Sequence, residues 1–152
     1  MARLILCSVL LISQVILITA EDNFCEEELK CIEKLHLKKD YIRNILTDES
    51  SPFLPENDVD FNSFLFCHWN ERGLQDINGN FHFDKIVECI QEFPRSEFNG
   101  RAGDQTPIGS KIAVAATELC KHTPKGDNHG QTAVKLQNCI DKNIMELVEK
   151  EA

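Results

Sequence analysis

Apolar residues recur at three-to-four spacing along most of the chain, and no alternating run of β-branched residues is long enough to indicate a strand. Such periodicity is typical of amphipathic helices that bury one face. We therefore expect an all-α domain of about six helices. The pattern predicts them over residues 25–36, 39–46, 58–74, 83–93, 107–121 and 131–149.

One predicted helix differs from the others because it is apolar around most of its circumference. Asp58 and Asp60 stand at its start, where their carboxylates suit the positive end of a helix dipole. A helix with this composition must be covered on several sides, so we expect it to be central. The longest break in the pattern is residues 95–106, which hold two glycines and almost no apolar side chain and are expected to form a loop.

The first twenty residues have the composition of a secretory leader. A short positive segment ending at Arg3 precedes an apolar stretch over residues 4–18, and Ala20 supplies a small residue at the expected cleavage point. A membrane anchor is the alternative, but this stretch is shorter than the roughly 20 residues that a bilayer span needs. We therefore expect a signal peptide over residues 1–20, a mature domain over residues 21–152, a secreted protein and no membrane attachment after cleavage.

Acidic residues outnumber basic ones, and the formal net charge is −9. Cleavage of the leader would also remove Arg3, which makes the mature chain more negative still. A protein of this charge repels the phosphates of nucleic acids and the surface of anionic membranes. We therefore expect no nucleic-acid partner.

Cysteine positions carry the most information. Six cysteines remain in the predicted mature chain, and an even number in a secreted protein favours disulfides. One pair flanks the turn between the last two helices, and another pair would clamp the first helix to the central one. The six are Cys25, Cys31, Cys67, Cys89, Cys120 and Cys139.

Two stretches of the chain carry a recognisable pattern. The first is Cys31 followed by Leu37-Lys38-Lys39-Asp40-Tyr41-Ile42. The second runs from Phe66 to Asp76, includes Cys67 and an Arg-Gly-Leu-Gln-Asp sequence, and is followed by Asn78-Gly79. Together they resemble the insect odorant-binding protein family, and the resemblance covers most of residues 21–145. It implies a compact, disulfide-stapled bundle of about six helices around an apolar cavity.

The resemblance also implies a disulfide pairing. The family has six cysteines bridged first to third, second to fifth and fourth to sixth, and here Ser63 and Gly130 stand at the second and fifth positions. This pattern is similar to the minus-C subgroup of the family, in which that bridge is lost. Bridges between Cys31 and Cys67 and between Cys120 and Cys139 would survive. Cys25 and Cys89 would then bridge each other, link two chains through one of them, or stay free.

The cysteine pattern is also similar to the odorant-binding-like venom allergens of ants. Some members of that group resemble covalent dimers, which makes Cys25 or Cys31 a candidate for an interchain bridge and a homodimer one expected outcome. The alternative function is accordingly a secreted venom or glandular effector or allergen with the same fold. The first hypothesis is a carrier for odorants, pheromones or other small lipophiles.

A carrier would hold its ligand by burial of apolar surface, with one polar anchor such as Tyr41 or His68. The same side chains could equally form a solid core. The residues that we expect to bind ligand are Tyr41, Phe64, Leu65, His68, Trp69, Phe83, Ile86, Val114, Leu119, Leu136 and Ile140.

Motifs for metal binding and catalysis do not emerge. The Asp76–Asn80 segment lacks the first and twelfth ligands of a calcium loop, so we interpret it as a turn. The five histidines show neither an H-E-x-x-H pattern nor a partner C-x-x-C pair. We therefore expect no catalytic residue, no metal and no cofactor. A histidine on a cavity wall that releases ligand on protonation is a further hypothesis.

Overall fold

The computed structural model describes residues 24–101 and 103–151. These residues form seven helices and two isolated β-bridges, and none of them lies in a longer strand, so the predicted all-α class is confirmed. The predicted signal peptide lies outside the described residues. The helices are α1 Glu26–Lys34, α2 Lys39–Leu46, α3 Val59–Glu71, α4 Phe83–Gln91, α5 Ser96–Asn99, α6 Gly109–Cys120 and α7 His129–Glu151.

Helix α3 occupies the centre, as its composition predicts. Its N-terminus is fixed by Asp58, whose carboxylate accepts a hydrogen bond from the Phe61 N–H at 2.9 Å. Phe61, Phe64 and Leu65 are completely buried. Helix α3 packs against α7 and α1, α7 packs against α6 and α5, and α4 packs chiefly against α6.

The predicted loop over residues 95–106 is partly wrong, because it contains the single-turn helix α5. Phe98 is the apolar residue that anchors this turn, with only 7% of its surface exposed. Gly100 ends the helix in a left-handed conformation at φ 65°. The Arg95 N–H donates to the Thr106 carbonyl at 2.8 Å and closes the base of the segment. One buried aromatic residue is too weak a periodic signal to predict a helix.

The turn after α3 is organised by one carboxylate, as expected. Asp76 Oδ1 accepts hydrogen bonds from the N–H groups of Asn78 and Asn80. The hydrogen bond from the Asn80 side chain, followed by these backbone bonds, holds the pKa of Asp76 below its usual value. Gly79 has φ +84°, and a Cβ atom there would lie 2.3 Å from Nδ1 of His129. The turn is therefore pressed against the first residue of α7.

Two disulfides join helices within residues 24–101 and 103–151. Cys31 of α1 is joined to Cys67 of α3 with a Cα–Cα distance of 5.8 Å, and Cys120 of α6 is joined to Cys139 of α7 at 5.9 Å. Cys89 is a free thiol, so Cys25 and Cys89 do not bridge each other and Cys89 does not belong with the disulfide residues. Each bridge stabilises a fold by about 2 to 4 kcal/mol.

None of the helices formed by residues 24–101 and 103–151 combines the length and the apolar character needed to cross a bilayer.

Candidate ligand-binding site

A small apolar cavity lies where α3, α4 and α7 come together. Its lining side chains belong to Trp69 and Leu74 in and just after α3, to the inner face of α4, and to α7. Its volume is about 20 Å³, which is room for about one water molecule. The residues that border it are Trp69, Leu74, Ile86, Cys89, Ile90, Gln137 and Ile140.

This volume is far below the roughly 300 to 1,000 Å³ of sites that hold drug-sized ligands. The expectation of a ligand-sized space is therefore not met at this position, where the side chains have closed together. Ile86 and Ile90 are each 3% exposed, and Ile140 is 1% exposed. A larger ligand can enter only if part of this wall moves.

Three of the residues predicted to bind ligand border the cavity, namely Trp69, Ile86 and Ile140. Trp69 is held from behind by an edge-on contact with Phe81 at a ring-centre distance of 5.8 Å. The tryptophan therefore presents one face to the cavity in a fixed orientation. Sequence reasoning missed Leu74, Cys89, Ile90 and Gln137, although Ile90 follows Ile86 at helical spacing and signals the same face.

The other predicted binding residues lie elsewhere. Phe64, Leu65 and Leu136 are buried in the core, at 0%, 0% and 2% exposure, and do not border this cavity. Phe83 is half-buried against Phe81 at a ring-centre distance of 5.9 Å.

Two of the predicted binding residues were wrongly placed in the interior. Val114 and Leu119 are 42% and 65% exposed on the outer face of α6. Helix α6 instead buries Ile112 together with the small residues Ala113 and Ala116. Small side chains let α6 approach its neighbours closely, so the larger apolar residues of this helix are not the ones that face inward.

Tyr41 does not act as an anchor at this cavity, because its hydroxyl donates a hydrogen bond to Oδ1 of Asp58. Burial and this bond raise the pKa of the phenol above its usual value. The bond ties α2 to the residue that caps α3. Tyr41 thus contributes to the scaffold that positions α3.

His68 is also buried away from the cavity, on the side of α3 that faces α1. It is 1% exposed, and burial, assisted by the charge of Arg72, lowers the pKa of its imidazole to about 3. The ring therefore stays neutral through the physiological range. A pH switch that depends on protonation of His68 near neutral pH is inconsistent with this environment.

Glu28 lies in the same interface, and sequence reasoning missed it. Its carboxylate accepts the Cys25 N–H at 2.8 Å and so caps α1, while the other oxygen, Oε1, makes no hydrogen bond within the protein. Burial raises the pKa of Glu28 to about 7. A carboxyl group with this pKa is partly protonated at neutral pH.

Glu28, His68 and Cys25 form a group that the sequence spacing did not reveal. One ligand-type atom of each lies within 4.8 Å of the others, and Cys25 Sγ lies 3.9 Å from His68 Nε2. The group does not make a zinc site, because Cys25 is disulfide-bonded and its sulfur is therefore not a thiolate ligand. Residues 43 positions apart meet here through the packing of α1 on α3, which explains why no motif predicted the group.

Cys89 gives the cavity wall a thiol. The side chain is half-buried, and burial raises the pKa of the thiol while a hydrogen bond with Arg72 partly offsets this. The thiol is therefore protonated at neutral pH and is a weak nucleophile.

The positions at which the cysteine pattern lacks a bridge also lie close together, on α3 and at the start of α7. A Cβ atom added to Gly130 would lie 2.1 Å from the carbonyl oxygen of Asn62, the neighbour of Ser63. Contact at that distance is impossible without movement of the backbone. The two helices meet here by direct backbone approach.

Two of three comparisons with known proteins agree with this architecture. The model of the PBP/GOBP family matches residues 19–143. Among solved structures, the chain is similar to the odorant-binding protein dmelOBP28a from Drosophila melanogaster, with a TM-score of 0.56 and 14% identity over 80% of this chain and 89% of that one. No curated protein sequence is similar enough to count as a match. The structural likeness, at this identity, concerns the fold.

Proposed function

The chain belongs to the PBP/GOBP family, and on this basis we propose that it is a secreted carrier that binds small hydrophobic molecules in its interior. The family is one of binding and carrier proteins, which agrees with the resemblance seen in the cysteine pattern. Odorants, pheromones and other lipophiles are the classes of ligand that fit an apolar interior.

The observation that carries the proposal is the apolar cavity between α3, α4 and α7. Five of its seven lining residues are Trp, Leu or Ile, and they converge from three helices. Burial of apolar ligand surface against such walls contributes about 25 cal/mol per Å². Gln137 is the amide on this wall, and its Nε2 donates to Asp141 at 2.7 Å, so the remaining surface is well suited to apolar ligands.

Helix α4 is the part of the wall that can move most easily. It packs chiefly against α6, and neither of the two disulfides described above includes it. Outward displacement of α4 would carry Ile86 and Ile90 away from Trp69 without disturbing the contact of α3 with α7. We therefore propose that ligand binding widens the cavity by shifting α4.

Secretion and assembly form part of the same proposal. The apolar leader over residues 1–20 directs the chain to the oxidising secretory route in which its disulfides form. A role as a venom or glandular effector that acts as a disulfide-linked dimer is the competing proposal. Migration as a dimer on a non-reducing gel that reverts to monomer with reductant would favour it.

Fluorescence provides the test, because Trp69 is the one tryptophan of the chain and borders the cavity. We expect N-phenyl-1-naphthylamine to bind saturably, to change the emission of Trp69 and to be displaced by lipophiles. Ile90→Ala, which enlarges the cavity, should bind the probe more tightly because α4 then needs to move less. Leu119→Ala, which removes the same kind of apolar group from an exposed position, should leave the affinity unchanged.

The variants are compared after circular dichroism has shown that each retains the helix content of the parent. Absence of saturable binding to both the parent and Ile90→Ala would contradict an interior carrier. Equal effects of Ile90→Ala and Leu119→Ala would place the probe elsewhere on the molecule.

A further inference from the structure

A second depression, separate from the interior cavity, opens on the outer surface between the end of α1, the middle of α3 and the start of α7. We call it the outer groove. Its volume is about 470 Å³, which lies in the range of small-molecule sites, and apolar surface predominates in its lining. On α3 it is lined by Ser63, Phe66 and Asn70, whereas Trp69, on another side of the same helix, borders the cavity.

Three apolar side chains form the body of the outer groove. Leu35 and Phe66 are half-buried, and Ile77 is 76% exposed. The Phe66 ring is backed by the ring of His129 at a ring-centre distance of 5.5 Å. An isoleucine with this exposure beside two other apolar residues is a surface that a ligand would cover favourably.

The outer groove is preformed. Ile77 stands on the turn whose hydrogen bonds to Asp76 fix its conformation, and this turn is pressed against His129 through Gly79. Ser63 and Gly130 line the groove with the smallest side chains, which leaves the space above Phe66 open. The residues of the groove are therefore already ordered before a ligand binds, so binding does not have to supply the free energy of ordering them.

Charge at the rim favours an anion. Lys34 and Glu71 both line the outer groove, and the Glu71 carboxylate is bound by Lys30 at 2.5 Å. The hydrogen bond from Lys30 holds the pKa of Glu71 below its usual value, so this carboxylate is ionised. Lys30 pairs with Glu71 and also lies close to Glu26 and Glu27, so the Lys34 ammonium is the positive group of the lining that an anionic head group can approach.

We propose that the outer groove binds a small amphiphile with a single anionic head group, of the medium-chain fatty-acid class. The chain would cover Leu35, Phe66 and Ile77, and the carboxylate would lie near the Lys34 ammonium. At the roughly 30 Å³ that a water molecule occupies in the liquid, the groove volume corresponds to about sixteen such molecules, which suits a ligand of that many heavy atoms or fewer. This site is additional to the interior carrier site and does not depend on it.

The test compares decanoate with 1-decanol, which share a chain and differ in the charge of the head group. Binding to the full chain is measured by titration calorimetry at pH 7.5. Ser63→Trp fills the outer groove, and it is a mild change because Ser63 is exposed and its hydroxyl donates to Val59 of its own helix. We expect this variant to lose decanoate binding by more than about tenfold, which is about 1.4 kcal/mol.

Lys34→Gln tests the head-group contact. It should weaken decanoate about two- to fivefold, as expected for a solvent-exposed ion pair, and leave decanol unchanged. Added salt should reproduce this selective loss in the parent protein. Lys142→Gln is the matched control, because it removes the same charge from an exposed position on α7 that does not line the groove.

The proposal is overturned if decanoate does not bind the parent protein, or if it binds the parent and Ser63→Trp equally. Equal weakening of decanoate and decanol by Lys34→Gln would overturn the assignment of the head group to Lys34. Failure here is distinct from failure of the interior site, because Ser63→Trp should leave N-phenyl-1-naphthylamine binding intact. If Ser63→Trp also lost N-phenyl-1-naphthylamine binding, neutral lipophiles would bind in the outer groove and the two sites would not be separate.

Discussion

Helix α3 has two large neighbours, and the two contacts are built differently. Toward α1, the Cys31–Cys67 disulfide joins the helices, and the polar side chains of Glu28 and His68 are buried beside it. Toward α7, the described residues contain no cross-link, and the backbone at Gly130 approaches the Asn62 carbonyl so closely that a Cβ atom would not fit. The contact with α1 therefore combines a disulfide with buried polar groups, whereas the contact with α7 depends on close approach of the two backbones.

The difference shows that two helices can be held together without a disulfide by close packing of their backbones. A disulfide acts mainly by restricting the unfolded chain, whereas close packing acts only in the folded state. Hydrogen bonds between α7 and the segment that precedes α3 add to this contact. Asn138 exchanges bonds with the backbone of Leu54 at 2.8 and 3.0 Å, and Gln131 Nε2 donates to the Glu56 carbonyl at 3.1 Å.

Removal of the α1 cross-link should have the largest effect. Cys31 and Cys67 are 36 residues apart, and loop-closure entropy for that length predicts that Cys31→Ala/Cys67→Ala loses about 4 kcal/mol of unfolding free energy. Urea denaturation followed by circular dichroism measures this loss. Cys89→Ala is the control, because it removes a thiol without opening a bridge, and a double variant no less stable than this control would contradict the prediction.

Replacement of Glu28 should change how stability depends on pH. Because the pKa of Glu28 is about 7 when folded and about 4.5 in the reference state, its proton stabilises the fold fully below pH 4.5, and this contribution is lost as the pH rises through 7. The loss amounts to about 3 kcal/mol. Glu28→Gln keeps an acceptor for the Cys25 N–H and should show no such loss between pH 5 and pH 8.

His68, in the same interface, changes stability with pH in the opposite direction to Glu28. Its pKa is lowered to about 3, so its contribution is present above pH 6.5 and is lost as the pH falls. The difference between the stability curves of the parent and Glu28→Gln therefore isolates the carboxyl group. Parallel curves from pH 5 to pH 8 would show that Glu28 is not the buried acid described here.

Cysteines placed at residues 63 and 130, where α3 meets α7, should have the smallest effect on the free energy of unfolding. Ser63→Cys/Gly130→Cys should remain reduced, because the Cβ at residue 130 forces the helices apart before the sulfurs can align. Gly130→Ala supplies the same Cβ without the thiol, and both variants should lose about 1 to 3 kcal/mol relative to the parent. Thiol titration that finds a new bridge, with higher stability than Gly130→Ala, would contradict this.

The sequence predicted the class of fold and the central helix because those features depend on long apolar periodicity. The start of α3 at Asp58 and the turn at Asp76 were also predictable, since each uses a local side-chain hydrogen bond. Helix α5 was missed because Phe98 alone anchors it. Local signals thus sufficed where the stabilising contacts are local.

The candidate site was less predictable because it depends on which face of each helix turns inward. Apolar and small residues alternate around α6, and the sequence does not show that Ala113 and Ala116 form the buried side while Val114 and Leu119 remain exposed. Likewise, Glu28 follows two other glutamates, and only the packing of α1 on α3 distinguishes it from them. Tertiary contacts decide both cases.

The thiol of Cys89 has a practical consequence for the study of motion in this protein. Because it borders the cavity on α4 and also lines a polar depression on the surface beside Arg72, a maleimide can reach it faster whenever the helix swings outward. The rate at which Cys89 is alkylated therefore reports how often α4 moves outward. Slower alkylation of Cys89 in the presence of a lipophile would show that the cavity is occupied.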